Sequence, residues 1–314
     1  MKTRRAPPFA AVAAVLLLAS ALTLAACGND REETGPPASQ PGVDFPITVQ
    51  RSDGREIAIQ EPPARIVSLS PGATEILFAI GAGESVAASD NFSDYPPEAE
   101  QTTKLDAFEP NLEAIVAVEA DLIIVAHNQD NVVEALDDLG EPVLYLVVPE
   151  GVEGVFEQIR LFGRVTDHQE EAEDLARSLE ARIVAIEAKL ADVNQGPRVF
   201  HELDNTLYTA APDSFVGDLY NLLKAQNVAA GSDNPYPQLT QEIIIERDPE
   251  VIILADEEFG ETPETVKSRP GWDVISAVKN DRIHGIDPNT VSRPGPRVVD
   301  ALEELARLLY PDRF

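Results

Sequence analysis

Apolar residues between Thr166 and Val193 fall at Ala172, Leu175, Ala176, Leu179, Ile183, Ile186, Leu190 and Val193. Steps of three and four are the period of one helical face, so the spacing predicts a long amphipathic helix here. Asp167 with Glu170 three residues later reads as a capping box, and Asn194-Gln195-Gly196-Pro197 stops the helix. About 25 residues at 1.5 Å each make a rod of roughly 37 Å. No glycine or proline interrupts it, and it lies near the middle of the chain. The pattern predicts a strut between two bodies.

The stretches on either side of this strut resemble each other. PNLEAIVAVEADLIIVAH (110–127) and LTQEIIIERDPEVIILAD (239–256) align without a gap at an offset of 129. Glu113 then meets Glu242, Asp121 meets Glu250, and Ile123-Ile124 meets Ile252-Ile253. Each copy reads as a short helix, an acidic turn and a buried strand. A weaker echo pairs Arg65-Ile66-Val67 with Arg198-Val199-Phe200. Two similar α/β lobes with a cleft between them are predicted.

The other elements follow the same logic. Ile47-Thr48-Val49 and Ile57-Ala58-Ile59 flank Asp53-Gly54, a hairpin signal. Strands are predicted at 66–69, 122–125, 143–148, 198–203, 251–254 and 282–286. Helices are predicted at 74–80, 131–139, 215–226 and from Ser292 to Leu309. Strand and helix alternate, which argues for parallel sheets. Boundaries follow: 46–150 for the first lobe, 151–195 for a connecting region with the long helix, and 196–314 for the second lobe.

The start of the chain adds an address. Lys2, Arg4 and Arg5 precede an apolar run from Phe9 to Ala26, and Leu24-Ala25-Ala26-Cys27 follows. This is a secretory signal over 1–26, and its ending resembles the lipobox of bacterial lipoproteins. That likeness implies cleavage before Cys27 and lipid on its sulfur. Residues 27–45 are polar and rich in proline and glycine, and read as a disordered tether. Cys27 is the chain's one cysteine, so no internal disulfide and no thiolate zinc site is available. With 44% hydrophobic and 25% charged residues in 314, the chain can bury a sizeable core. A formal charge of −31 argues against a nucleic-acid partner, whose phosphates need Lys and Arg.

Five segments taken in order carry a family resemblance: RIVSLSPGATEILFAIG, SDYPPEA, PNLEAIVAVEADLIIV, YPQLTQE and SRPGPRVVDALEELARLLYP. Together they resemble the substrate-binding proteins of ABC importers for vitamin B12 and iron chelates, over nearly all of Arg65 to Pro311. The resemblance implies two Rossmann-like α/β lobes with mainly parallel sheets, joined by one long helix, with the ligand cleft between them. It implies a monomer, lipid-anchored on the outer face of the cytoplasmic membrane, that hands its ligand to a permease dimer. Phe92 and Tyr236 match aromatic positions of the B12-binding member, and Arg293 matches an arginine of its cleft. Where that member has two further tryptophans, this chain has Ala107-Phe108 and Ala126-His127. Glu113 and Glu242 match the residues that bind permease arginines.

No Ser-centred elbow, HExxH or Walker motif points to an enzyme, although two lobes around a cleft also suit one. A surface adhesion lipoprotein is the third class. The four histidines, His127, His168, His201 and His284, are scattered and form no metal-binding tract. Large planar ligands with an amide rim need aromatic surface and a few donors, and Phe92, Phe108, His127, Tyr208, Tyr236 and Arg293 are the candidates. Asp204 lies in the same loop as Tyr208, and Trp272 reads as packing. A strongly anionic ferric catecholate wants several cleft cations, and only Arg293 and Arg297 are in place for that. Cobalamin is therefore favoured as the transported ligand, with no resident cofactor. A ferric siderophore or haem is the alternative, the haem with Tyr95, Tyr208, Tyr236, His127 or His201 as axial ligand.

Overall fold

A hairpin opens the described part of the chain. The computed structural model describes residues 43–314; the signal segment, the lipid site at Cys27 and most of the tether lie outside the described residues. The hairpin pairs β1 (Ile47–Gln50) with β2 (Glu56–Ile59) antiparallel about Asp53-Gly54. Gly54 takes φ +82°, a left-handed backbone that glycine adopts without a Cβ clash. Arg51 fixes the hairpin to the body through Asp137, at 2.7 and 3.0 Å.

Strand and helix then alternate: β3 (Ile66–Leu69), α1 (Pro71–Ala79), β4 (Val86–Asp90), β5 (Thr103–Leu105), α2 (Leu112–Val116), β6 (Leu122–Val125), α3 (Val132–Asp138) and β7 (Val143–Tyr145). These strands form one parallel sheet in the order β5-β4-β3-β6-β7. All four residues of β3 and of β6 are buried, the signature of a parallel strand covered on both faces. Helix α1 starts at Pro71 rather than Thr74, because Ser70 caps it and proline suits the first turn. Strand β7 stops short of Val148, since Val147 turns to bond the Ser52 hydroxyl of the hairpin.

Next come α4 (Val152–Thr166) and α5 (Gln169–Lys189), then the second lobe. That lobe has β8 (Arg198–Glu202), α6 (Phe215–Leu222), β9 (Gln226–Asn227), α7 (Gln241–Arg247), β10 (Val251–Leu254), α8 (Pro263–Lys267), α9 (Ser276–Lys279), β11 (Ile283–Gly285), α10 (Pro288–Val291) and α11 (Val298–Leu309). Its sheet is also parallel, in the order β11-β10-β8-β9. The fold is thus α/β with two parallel sheets, as the sequence pattern and the resemblance both predict.

The internal repeat is structural as well as textual. β6 and β10 begin at Leu122 and Val251, and the N-caps of α2 and α7 are Asn111 and Thr240, each pair 129 apart. Ile66 pairs with Leu122 in the first sheet, and Val199 pairs with Val251 in the second. Both strand pairs therefore hold the same register.

The long helix is present, with a partner beside it. α5 has 21 residues, and the Asp167 carboxylate does not cap it. Asp167 sits at φ +60° as the C-cap of α4, and its carboxylate accepts the Val43 N–H. Helices α4 and α5 therefore fold into a hairpin across two connecting residues. A Cβ on Gly163 of α4 would collide with the Ala172 side chain of α5, so glycine permits the close approach. Arg160 of α4 binds Glu173 and Glu180 of α5 at 2.8 and 2.7 Å.

This hairpin touches both lobes. Val152 donates its N–H to Asp218 of α6, and Lys224 of the second lobe bonds the Leu190 carbonyl at the end of α5. One buried apolar cluster runs from Ile66 and Ile76 through Phe156, Ile159, Leu179 and Ile183 to Val199, Leu219 and Leu302. Burying each such side chain contributes roughly 1.5–3 kcal/mol, so the lobes are joined through a shared core as well as through the helix.

Candidate functional site

A cavity that draws residues from both lobes has a volume of about 490 Å³. Two larger hollows, of about 660 and 640 Å³, lie within single lobes: one is lined by residues 78–103, the other by residues 198–247. The shared cavity is bounded by the end of β3 and the start of α1 (Leu69 to Gly72), by Asp90 and Phe92, by Ala107, Phe108 and His127, and opposite them by Tyr236, Asn289 and Arg293. It sits where the parallel strands of the first lobe end, the usual place for a ligand in an α/β sheet.

Its first-lobe wall is aromatic. Phe92 meets Phe108 edge to face, with centroids 5.5 Å apart, and Phe108 stacks on His127 at 6.4 Å. Phe92 and Phe108 are 52% and 56% exposed, and Tyr236 across the cavity is 43% exposed. Rings this exposed in a structured pocket are not core packing; they form an apolar surface awaiting cover. Each ring is fixed through its backbone. Asp106 accepts the N–H of Phe108, Asp90 accepts that of Phe92, and Asn234 accepts that of Tyr236.

Beneath this wall lies a buried polar chain. The Ser93 hydroxyl is 2.5 Å from the Asp90 carboxylate and 2.9 Å from the Thr74 hydroxyl, which is itself 2.9 Å from Ser68. Lys104 is turned inward, donating to Ser89, to the Ala99 carbonyl at 2.9 Å and to the Ser93 carbonyl. Burial pushes the Asp90 carboxyl up, while bonds from Ser93 and the Phe92 N–H pull it back. These bonds fix the loop at Asp90, Phe92 and Ser93.

The arginines are paired. Arg297 holds Glu75 with two bonds, 3.1 and 2.6 Å, and its guanidinium lies 4.0 Å over the Tyr95 ring. Arg293 binds Asp94 at 2.5 Å and the Asn289 side chain at 2.6 Å. Burial of Glu75 raises its pKa, and Arg297 opposes that shift. These pairs tie the segment before α11 to the first lobe; a Cβ on Gly72 would sit 2.6 Å from the Pro294 carbonyl.

Of the sequence-derived candidates, Phe92, Phe108, His127, Tyr236 and Arg293 meet around this cavity, and Tyr208 does not. Tyr208 is exposed and bridges Gln238 through its backbone. His201 is removed as an axial ligand: it is 1% exposed, bonded to the Tyr220 hydroxyl at 2.7 Å, and its pKa is pushed down to about 4 by burial. Tyr95 lies under Arg297. Trp272 is fully buried against Phe200, as packing requires. Glu75 and Asn289 were not singled out from sequence; their signal is spatial, since Glu75 meets its arginines more than 200 positions away.

Glu113 and Glu242 are each the second residue of their helix, and both are exposed. Glu242's own N–H and the Thr240 hydroxyl hold its carboxyl below the usual range. Among the described residues no group of three or more His, Cys, Asp or Glu side chains is placed to hold a metal ion, and no helix is long and apolar enough to cross a membrane.

Residues 66–290 match a family described as periplasmic binding protein. The chain is 32% identical to an ABC transporter substrate-binding lipoprotein, YvrC, of Bacillus subtilis, over 97% of this chain and 98% of that one. Its fold matches the vitamin B12 binding protein BtuF of Vibrio cholerae with a TM-score of 0.70 and 27% identity, covering 80% of this chain and 98% of the other. A possible iron-binding periplasmic solute-binding protein of Staphylococcus epidermidis matches with a TM-score of 0.70 and 30% identity, over 80% of this chain and all of that one.

Proposed function

The chain belongs to the periplasmic binding protein family, and we propose from that premise that it captures cobalamin and delivers it to an ABC-importer permease. Its role as an extracytoplasmic substrate-binding protein, rather than an enzyme, comes with the family. The ligand is the finer step. It is carried by one observation: Phe92, Phe108 and His127 face Tyr236 across a 490 Å³ cavity whose lining arginine, Arg293, is already paired with Asp94. Such a site offers ring surface and hydrogen bonds without net positive charge, which suits an uncharged corrinoid with an amide rim. A relative of Halobacterium salinarum named as cobalamin-binding, 27% identical over 88% of this chain, supports the same reading.

Tyr236 also supports a second reading. A phenol facing the cavity opposite His127 suits a ferric centre, so haem or a ferric chelate is the runner-up. The two are told apart by an absorption spectrum of protein purified from rich medium, followed by calorimetric titration with cyanocobalamin. Corrin bands and saturable binding are expected; a Soret band, or no uptake of heat, overturns the cobalamin assignment.

The delivery step is assigned to Glu113 and Glu242, and the anchor to lipid on Cys27. One acyl chain holds a protein to a bilayer only reversibly, so a stable anchor takes more than one.

A further inference from the structure

We propose that Asp94 sets the charge selectivity of the cleft by neutralising Arg293, and so excludes anionic chelates. This rests on reading the shared cavity as the ligand site. Arg293 is part of the cavity wall; Asp94 is not. The Arg293 side chain is 12% exposed, and its Nη1 and Nη2 lie 2.5 and 3.4 Å from the two oxygens of Asp94. Nη2 also donates to Asn289, and Glu75 stands 3.8 Å from Nη1. Arg297 is occupied by Glu75, and Lys104 by Ser89, the Ser93 and Ala99 carbonyls and the field of Asp90. The two guanidinium groups beside the cavity therefore face two carboxylates.

As a tie between the lobes, the Asp94–Arg293 pair duplicates contacts that already hold both of its ends. The loop that carries Asp94 is already held by the Asp90, Ser93 and Thr74 bonds and by Lys104. Helix α1 and the segment before α11 are already joined by the Arg297–Glu75 pair. What Asp94 adds is charge. A ligand carboxylate or catecholate brought to Arg293 must sit beside a second negative group or displace it, and like charges at such range repel strongly. An amide oxygen meets no such penalty, because a guanidinium has five N–H donors and the contacts above leave some of them free.

The test is a comparison of wild type with Asp94→Asn, titrated with cyanocobalamin, haemin and a ferric tris-catecholate at low and high salt. Asn is isosteric and Asp94 is half exposed, so a melting curve close to wild type is expected. The affinity ratio of anionic probe to cyanocobalamin should rise about tenfold at low ionic strength and shrink as salt screens it. Asp94→Glu, which keeps the charge, should leave the ratio near wild type. In Asp94→Asn/Arg293→Gln the gain should vanish, since the freed cation is gone. A ratio unchanged in Asp94→Asn, or a gain that survives in the double variant, overturns this inference alone. Wild type binding none of the three probes overturns the cleft reading and this inference with it.

Discussion

Where the strands begin, the two lobes are copies. Arg65 of the first lobe donates to the Val118 carbonyl, and Arg198 of the second to the Arg247 carbonyl. Asp121 accepts the N–H of Arg65, and Glu250 accepts that of Arg198. Where the strands end, the lobes part. His127 and Asp256 occupy equivalent places, 129 apart. His127 joins an exposed ring cluster, whereas Asp256 is 1% exposed and neither carboxylate oxygen has a partner. Beside Asp256 lies Glu202, fully buried and held by Arg269, which also binds Glu261 and covers the Trp272 ring. The copied end supplies what any parallel strand pair needs, a fixed register and satisfied backbone groups. The divergent end is where the lobes differ: cavity-lining rings in one, a buried charge network in the other.

The network gives the largest effect. Arg269→Met leaves Glu202 buried without its cation and next to Asp256. Breaking a buried pair in this way destabilises by about 3–5 kcal/mol. Arg198→Met at the copied end, where the side chain is 36% exposed, should cost under about 1 kcal/mol. Urea unfolding of both variants checks the contrast, and equal losses would erase it.

Asp256 comes next. Burial first, then Glu202 and Glu261, push its pKa up to about 7 from an ordinary 3.8, against the pull of Arg269. The folded protein thus binds more protons than the unfolded chain between those values. Stability from this group is fully present below about pH 4 and is lost as pH rises through 7, on the order of 4 kcal/mol in total. Asp256→Asn should therefore be more stable than wild type at pH 8 and close to it near pH 4. A constant difference across that range would show that Asp256 does not titrate there.

Much of the frame was legible in the sequence because cap, helix and strand kept one offset, so the repeat from Pro110 to His127 returned intact at Leu239. The apolar period overstates the strut, since α5 runs only from Gln169 to Lys189. Helix α4 is marked in sequence only by the helical spacing of Val155, Phe156, Ile159 and Phe162, and it carries two glycines, Gly154 and Gly163, that lower helix propensity. Gly163 instead permits close packing on α5. Asp167 looked like a cap opening the next helix, but a left-handed residue ends the previous one. In the site, the aromatic residues were legible by type and neighbourhood. The pairs Asp94–Arg293 and Glu75–Arg297 were not, since no local pattern links residues 199 and 222 positions apart. Asp256 reads in sequence as an ordinary turn acid; only burial makes it unusual.

Between the lobes the effects move from stability to affinity. Tyr236 and Phe92 are half exposed, so Tyr236→Ala and Phe92→Ala should leave unfolding nearly unchanged. Each removes a ring that a bound corrin would cover, a loss on the order of 1–3 kcal/mol in binding. Calorimetry on the two variants sharpens the comparison of opposing walls. Similar losses mean the ligand is sandwiched between the lobes; a loss with Phe92→Ala alone means it rests on the first lobe.

The smallest effect on the isolated protein belongs to the pair that the lobes share most closely. Glu113 and Glu242 stand in the first turns of α2 and α7, where a carboxylate interacts favourably with the helix dipole by about 0.3–1 kcal/mol. That benefit accounts for an acid at each site and predicts only a slight loss on truncation. It does not require glutamate twice at one offset, because Asn111 and Thr240 already cap these helices through their side chains. The proposed docking role would supply that reason. Two equivalent carboxylates on two equivalent lobes suit a permease dimer that presents two equivalent basic sites. Removing one partner of a buried interfacial charge pair weakens a complex by about 2–5 kcal/mol, mainly through faster dissociation. Glu113→Ala and Glu242→Ala should therefore each slow uptake in cells or proteoliposomes, and the double variant should abolish it. Unfolding curves and ligand titrations of the same variants should stay within about 1 kcal/mol of wild type. Uptake by the double variant at the wild-type rate would reduce both residues to helix-end charges, and the symmetry of the two lobes would then extend no further than the needs of folding.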